Sequence, residues 1–161
     1  MSTLAAVTEL EKIALKNSLK LAAQQLIEQR ITAAKTLINN AQEAANSEEK
    51  SSVGDKYETA RAMGQLESEM HSKQLAQQVK ELALLHEVKT DVVYQFATMG
   101  ACIECADLTF FIAAGLGKQT INGKLIVFLS PQAPLAKLLQ NKKAGESFVF
   151  SGKETLIESV Y

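Results

Sequence analysis

Residues 19–45 read LKLAAQQLIEQRITAAKTLINNAQEAA, and their apolar side chains recur at helical spacing. The stripe advances in steps of 4, 4, 4, 3, 4, 3 and 4 residues through Leu19, Ala23, Ile27, Ile31, Ala34, Ile38, Ala41 and Ala45. Side chains three and four residues apart share one face of an α-helix. Good helix formers such as Gln24, Glu28 and Lys35 fill the gaps. The pattern predicts a helix over about residues 9–46, roughly 55 Å long at 1.5 Å per residue.

A second helical pattern follows over about residues 53–87, after the short polar stretch NSEEKSS. Its apolar positions are Met63, Leu66, Met70, Leu75, Val79, Leu82 and Leu85. Two long helices with narrow apolar stripes and a short polar connection fold back on each other. The first half, residues 1–90, is therefore predicted to be an antiparallel coiled-coil hairpin whose tip lies near residues 46–58.

Glycine and proline change abruptly in frequency along the chain. Residues 1–99 contain two glycines and no proline, whereas residues 100–161 contain both prolines and the other six glycines. Because glycine and proline interrupt regular secondary structure, such a shift in their frequency indicates a change of architecture. The second half, residues 91–161, is predicted to be a small α+β domain.

The strands and the helix of this second half have local signals. DVVYQF (91–96) and CADLTFFIAA (105–114) are typical of strands, being apolar and rich in β-branched or aromatic residues. Asn122-Gly123 and Ser151-Gly152 each lie between strand-like stretches and predict hairpin turns. APLAKLLQN (133–141) predicts a short helix that begins at Pro134 and ends at Asn141.

Charge and hydropathy exclude several classes of protein. With 17 basic and 18 acidic residues the net charge is −1, which argues against binding nucleic acid through a broad basic surface. We therefore expect no sequence-specific DNA binding. No apolar run approaches the roughly 20 residues that span a bilayer. Glu9 and Glu11 interrupt the apolar N-terminal residues, so a signal peptide is not indicated and a cytoplasmic location is expected.

Cys102 and Cys105 form a CxxC pair, which can indicate a metal or redox site. The chain has no second CxxC, and both histidines lie well upstream, so a four-ligand zinc site is hard to assemble. On a strand, positions three apart point to opposite faces. The two cysteines are therefore predicted to have a structural role.

Two carboxylates, Asp55 and Glu58, fall in the tip, within SSVGDKYETARAM (51–63). Residues 41–60 hold five acidic and two basic residues, which makes the tip the acidic part of the chain. Positions i and i+3 are neighbours on a helix, and two adjacent carboxylates can share one Mg²⁺. An alternative is helix capping: Ser52-x-x-Asp55 fits a capping box, and acids are favoured at a helix N-terminus.

GDKYETA (54–60) resembles the tip motif of the bacterial Gre transcript-cleavage factors, which runs Gly-Asp-x-x-Glu-x-Ala. By that match Gly54, Asp55, Glu58 and Ala60 fall on family positions. The layout is similar too, since the family has an N-terminal antiparallel coiled coil and a C-terminal domain of FKBP-like fold. APLAKLLQNKKAGESFVF (133–150) is similar to the family's C-terminal pattern at Pro134, Ala136, Leu139, Lys142, Gly145 and Glu146.

The chain departs from the family after the acidic pair. The family continues through Asn-Ala-Glu-Tyr, whereas this chain has Thr59-Ala60-Arg61-Ala62 and carries its tyrosine earlier, as Tyr57. An alternative alignment of the motif matches Tyr57 to the family tyrosine. It places Lys50 and Val53 at the acidic positions, so no carboxylates remain there to hold a metal ion. The alignment through Gly54 keeps both carboxylates.

The resemblance implies an accessory factor rather than an enzyme. Gre factors insert their coiled coil into the secondary channel of RNA polymerase. Their tip acids, here Asp55 and Glu58, help to hold a Mg²⁺ of the polymerase's own active site for cleavage of backtracked RNA. The expected partners are RNA polymerase and the 3′ end of the nascent RNA, and the ion is shared rather than stably bound by this chain alone.

Two other functions remain open. Some Gre homologues occupy the same channel and inhibit or modulate polymerase without cleavage. The FKBP-like half also suggests a prolyl isomerase or chaperone-like binder, but its aromatic residues include no tryptophan. Phe148 and Phe150 alternate as core-facing residues of a strand do.

Overall fold

The computed structural model describes residues 8–51 and 55–161, and the side chains of residues 8–44 and 58–161. The described helices are α1 (Glu9–Ser51), α2 (Asp55–Glu87) and α3 (Pro134–Leu139). The described strands are β1 (Cys102–Glu104), β2 (Thr109–Ile112), β3 (Gly117–Ile121), β4 (Lys124–Leu129), β5 (Ser147–Phe150), β6 (Lys153–Leu156) and β7 (Ser159–Val160). The chain is thus α+β, with two N-terminal helices that pack together and a mixed β-sheet after them.

Helix α1 begins with a side-chain cap. The Glu11 N–H donates to Thr8 Oγ1 at 3.1 Å, which satisfies one of the free amides of the first turn. Glu9 and Glu11 lie in that turn, where the positive end of the helix dipole stabilises acids. Thr8 and Glu11 have the spacing of a capping box.

The chain divides into two compact units. Unit 1 consists of Met1–Gln24 together with Ala83–Tyr161, and unit 2 consists of Gln25–Leu82. In unit 2, α1 buries Ile27, Ala34 and Ala41. Ile31 and Ile38 are half-buried on the same face of α1, so the stripe predicted for α1 is confirmed as far as its side chains are described. Ala45 lies outside the described side chains.

The apolar face predicted for α2 is wrong over most of its length. Met63, Leu66, Met70 and Val79 are 50–66% exposed. The less exposed face advances in steps of 4, 4, 3, 4, 3 and 4 residues through Ala60, Gly64, Ser68, His71, Leu75, Gln78 and Leu82. Small and polar side chains occupy most of this face. Helices with small residues at their contact can approach closely, and large apolar residues then stay outside.

The main sheet has five strands in the order β3-β4-β2-β1-β7. β2 and β4 are parallel, while the pairs β3–β4, β1–β2 and β1–β7 are antiparallel. β5 and β6 form a separate antiparallel hairpin. α3 contacts this hairpin through β5.

Both predicted hairpin turns and the end of α3 are confirmed. Asn122 and Gly123 have φ of 51° and 79°, and Ser151 and Gly152 have φ of 53° and 77°. Two successive positive φ angles are typical of the tight turns that match strand twist. Asn141, after α3, has φ of 68°, which asparagine tolerates better than most residues.

The strand predicted for DVVYQF is wrong, because residues 91–96 form no strand. The segment from Val88 onward is instead held by α1. Lys16 Nζ donates to the Val92 carbonyl at 2.7 Å, and Lys20 Nζ donates to the Val88 carbonyl at 2.8 Å. Lys16 Nζ also lies 4.6 Å from the centre of the Tyr94 ring. Because the lysines satisfy these backbone carbonyls, the segment can be ordered without a sheet partner.

Both faces of the main sheet are buried in unit 1. One face packs around Ile103, Phe110 and Val127, against α3 and the β5–β6 hairpin. The Phe110 ring meets the rings of Phe148 and Phe150 edge-on, with centres 5.7 and 5.3 Å apart. Because neighbouring strand residues alternate in direction, the opposite face carries the following side chains: Cys102, Phe111 and Phe128, each at most 2% exposed.

Within residues 8–51 and 55–161, no helix combines the length and the apolar character needed to cross a bilayer.

Candidate functional site

The first turn of α2 carries both predicted site residues. Asp55 is the first residue of α2, and Glu58 lies three residues later. Helical residues at this spacing have Cβ atoms about 5–6 Å apart. The Glu58 side chain is exposed. The Asp55 side chain lies outside the described side chains, so only its position on the helix is known.

The helix geometry determines what this pair can do with a cation. The N-terminus of a helix bears roughly half a positive charge, which stabilises carboxylates and opposes a cation beside them. Two carboxylates also supply only part of the six-oxygen shell of Mg²⁺. The donors fit a magnesium ion, but the remaining oxygens would have to come from water or from a partner molecule.

The described residues include no group of three or more histidine, cysteine or acidic side chains placed to hold a metal. The capping alternative depends on Ser52, and Gly54 begins the family-like motif; both residues lie outside the described part of the chain. Capping by Ser52 therefore stays a prediction.

Close to Glu58, α2 exposes three large apolar side chains that the sequence analysis assigned to the helix contact. Met63, Leu66 and Met70 are 65%, 66% and 51% exposed. Their spacing of three and four residues places them on one face of the helix. The small residues Ala60, Gly64 and Ser68, spaced four apart, were the signal in the sequence for a contact face that leaves this stripe exposed.

Cys102 and Cys105 are free, buried thiols. Burial raises the pKa of Cys102 to about 12, with the nearby Lys16 ammonium acting in the opposite direction and Glu104 adding to the rise. Burial likewise raises the pKa of Cys105 to about 11, and the carboxylates of Glu158 and Glu104 add to it. Thiolates are the reactive form of cysteine. These thiols are protonated near neutral pH, as packing residues are.

The aromatic residues of the second half do not form an open aromatic pocket within the described structure. Phe110 and Phe148 are at most 4% exposed and belong to the core. Phe150 packs against the same core. The prediction that Phe148 and Phe150 face inward is confirmed.

No protein-family model matches this chain, and no curated protein is significantly similar to it.

Proposed function

We propose that this protein is a Gre-like transcription elongation factor that binds RNA polymerase and stimulates cleavage of backtracked RNA. In this proposal the first half is an antiparallel coiled coil that enters the secondary channel, and the second half has an FKBP-like fold and docks outside. The protein acts in the cytoplasm as an accessory factor, and catalysis belongs to the polymerase.

The observation that carries the proposal is the exposure of Glu58 on the first turn of α2, three residues after Asp55. Asp55 and Glu58 would hold a Mg²⁺ together with ligands of the polymerase, near the 3′ end of the nascent RNA. When bound, that ion activates water for attack on a phosphodiester. The chain's own contribution is to present two carboxylates on a helical support, since a partly filled oxygen shell needs a partner's ligands to complete it.

A test combines Asp55→Asn with Glu58→Gln and adds the purified protein to stalled polymerase complexes. We expect RNA cleavage to fall by about 100-fold or more, because removing charged groups that act on phosphoryl chemistry costs several kcal/mol. Binding to polymerase, measured separately by co-sedimentation, stays within about twofold, since amides are isosteric with carboxylates.

The matched control replaces two other exposed carboxylates of α2, Glu69→Gln with Glu87→Gln. This variant changes the net charge equally and is expected to cleave as well as the parent. Equal cleavage by the Asp55 and Glu58 double variant would show that these residues do not form the site.

A second candidate is a secondary-channel binder that inhibits or modulates polymerase without cleavage. The exposed Met63, Leu66 and Met70 favour it, because apolar side chains give affinity without supplying chemistry. In the same assay this candidate predicts slower RNA synthesis, no cleavage product, and an effect that survives loss of both tip carboxylates.

A further inference from the structure

A cleft of about 420 Å³ lies beside β6 in unit 1. Residues 105–108, between β1 and β2, form one wall, and residues 153–156 of β6 form another. Phe150, Ser151 and Glu158 complete the lining. The cleft is far along the chain from the tip carboxylates and is independent of the function proposed above.

The cleft runs along the edge of β6 rather than over one of its faces. Successive residues of a strand point to opposite faces, yet four residues in a row, 153–156, line the cleft. A cleft that contacts every residue of a strand must follow the edge of that strand, because each face presents only alternate side chains. A four-residue edge is about 13 Å long at 3.3 Å per residue.

The backbone groups on this edge have no strand partner among the described residues, because β6 pairs only with β5. Ile157 directs both of its backbone groups towards β5: its N–H donates to the Glu146 carbonyl at 2.9 Å, and its carbonyl accepts from Gly145 at 2.8 Å. Since alternate residues of a strand share a hydrogen-bonding direction, Glu154 and Leu156 direct theirs away from β5. The next outward-facing N–H, that of Glu158, donates to the Glu104 carbonyl at 2.8 Å, so the open part of the edge consists of Glu154 and Leu156. An open edge of this kind is a template for a further strand.

The walls have a definite chemistry. Leu108, Phe150 and Leu156 provide apolar surface, and Leu156 is 55% exposed. Three carboxylates also line the cleft against a single lysine: Asp107, Glu154 and Glu158 against Lys153. A strand that carries apolar and basic side chains therefore complements both the apolar surface and the negative charge of the cleft.

We propose that β6 is the docking edge for an extended, basic peptide segment of a protein partner, which adds to the β5–β6 hairpin as a third strand. The apolar side chains on one face of the peptide pack on Leu108 and Phe150. Leu156 lies on the other face of the hairpin, where the aliphatic stems of the basic side chains contact it. The peptide's lysines or arginines face the three carboxylates. A second copy of this chain is a poorer occupant, because it would bring a second set of three carboxylates and a single lysine to the contact.

The test uses the full chain and a fluorescein-labelled peptide of alternating lysine and leucine, six residues long, with binding read by fluorescence anisotropy. We expect saturable binding that weakens about tenfold when salt is raised from about 50 to 300 mM, because screening reduces the charge attraction. A peptide with glutamate in place of lysine is expected not to bind. A peptide N-methylated on its pairing amides keeps its side chains but cannot complete the strand pairing, so its affinity falls about tenfold or more.

Variants of the chain locate the site. Glu154→Lys with Glu158→Lys and, separately, the neutral change Leu156→Asn are each expected to weaken binding about tenfold. Glu69→Lys with Glu87→Lys is the control for charge. Val149→Asn is the control for the apolar change, since Val149 is 59% exposed on β5 and does not line the cleft. Both controls are expected to bind as the parent does.

Three results would overturn the proposal. One is equal binding of the N-methylated peptide, which would mean that no strand is added. Another is equal loss of binding in the control variants, which would mean that the peptide binds elsewhere. The third is a dimer in analytical ultracentrifugation that Leu156→Asn dissociates, which would make a second copy the occupant.

Discussion

At the scale of single residues, burial suppresses the ionisation of the two cysteine thiols. At pH 8 a cysteine with an ordinary pKa of about 9 is roughly one-tenth thiolate, whereas one with a pKa of about 12 is roughly one part in ten thousand thiolate. Because alkylation follows the thiolate, we expect Cys102 in the folded protein to react with iodoacetamide about 1,000-fold more slowly than in urea. Cys105 is expected to be slowed about 100-fold.

The alkylation rate of each thiol is measured by mass spectrometry of peptides after timed quenching. The urea-unfolded chain is the control, since it exposes both thiols to the same reagent. Rapid modification of Cys102 in the folded protein would contradict its burial and reopen a reactive role for the CxxC pair.

The predictions from sequence succeeded at residues whose own chemistry limits the backbone. Asn122-Gly123, Ser151-Gly152 and Asn141 were placed correctly because few residue types accept positive φ. Lys16 was not foreseen. Its role depends on the carbonyl of Val92, 76 positions away, and nothing local in the sequence indicates which distant backbone a lysine will bind.

At the scale of elements, α2 shows why a helix can be predicted and its orientation missed. Its bounds follow from 3.6-residue periodicity, but two faces compete for the contact with α1. The face with Met63, Leu66 and Met70 is more hydrophobic, yet the face with Gly64, Ser68 and His71 is the less exposed one. Hydrophobicity alone does not include the gain from close approach of small residues.

A substitution at His71 tests this assignment of the contact face of α2. His71 is 7% exposed, and its Nδ1 lies 3.4 Å from Gln74 Oε1. Its Nε2 lies 3.6 Å from Glu67 Oε1 but makes no hydrogen bond among the described residues. An unsatisfied buried polar atom costs about 1–3 kcal/mol. We therefore expect His71→Leu to raise the free energy of unfolding by about 1 kcal/mol or more, measured by urea titration of the helical circular dichroism signal.

The control for this change is Gln65→Leu, an exposed position six residues earlier on the same helix. It adds a similar apolar side chain without removing a buried polar atom, so we expect little change in stability. If His71→Leu destabilised the protein by about 1 kcal/mol, the contact of His71 with Glu67 would contribute more than the missing hydrogen bond costs.

At the scale of the whole molecule, the sequence pattern predicts a second half that begins near residue 91, whereas one compact unit joins Met1–Gln24 to Ala83–Tyr161. The sequence could suggest a change of architecture from its glycines and prolines. It could not show that the start of α1 belongs to the same unit as the second half, because the hydrogen bonds from Lys16 and Lys20 to distant carbonyls follow no sequence motif. The boundary near residue 91 stays a prediction, and deletion variants can test it.

Two shortened chains distinguish the alternatives. One contains residues 91–161 alone, and the other retains residues 8–25 and 82–161 joined by a glycine–serine linker. The first loses Lys16 and Lys20, which bond to the carbonyls of Val92 and Val88. It also loses the α1 segment that belongs to the same unit as the sheet face bearing Cys102, Phe111 and Phe128.

Burying a large apolar side chain contributes about 1.5–3 kcal/mol, so uncovering part of such a face is costly. We expect the chain of residues 91–161 to unfold at least about 3 kcal/mol more easily than the linked chain in urea titrations. Cys102 then serves as a local reporter, because it should react with iodoacetamide at least about tenfold faster in residues 91–161 than in the linked chain. Equal stability and equal alkylation of the two chains would mean that residues 91–161 are a self-sufficient domain and that the first turns of α1 contribute nothing to it.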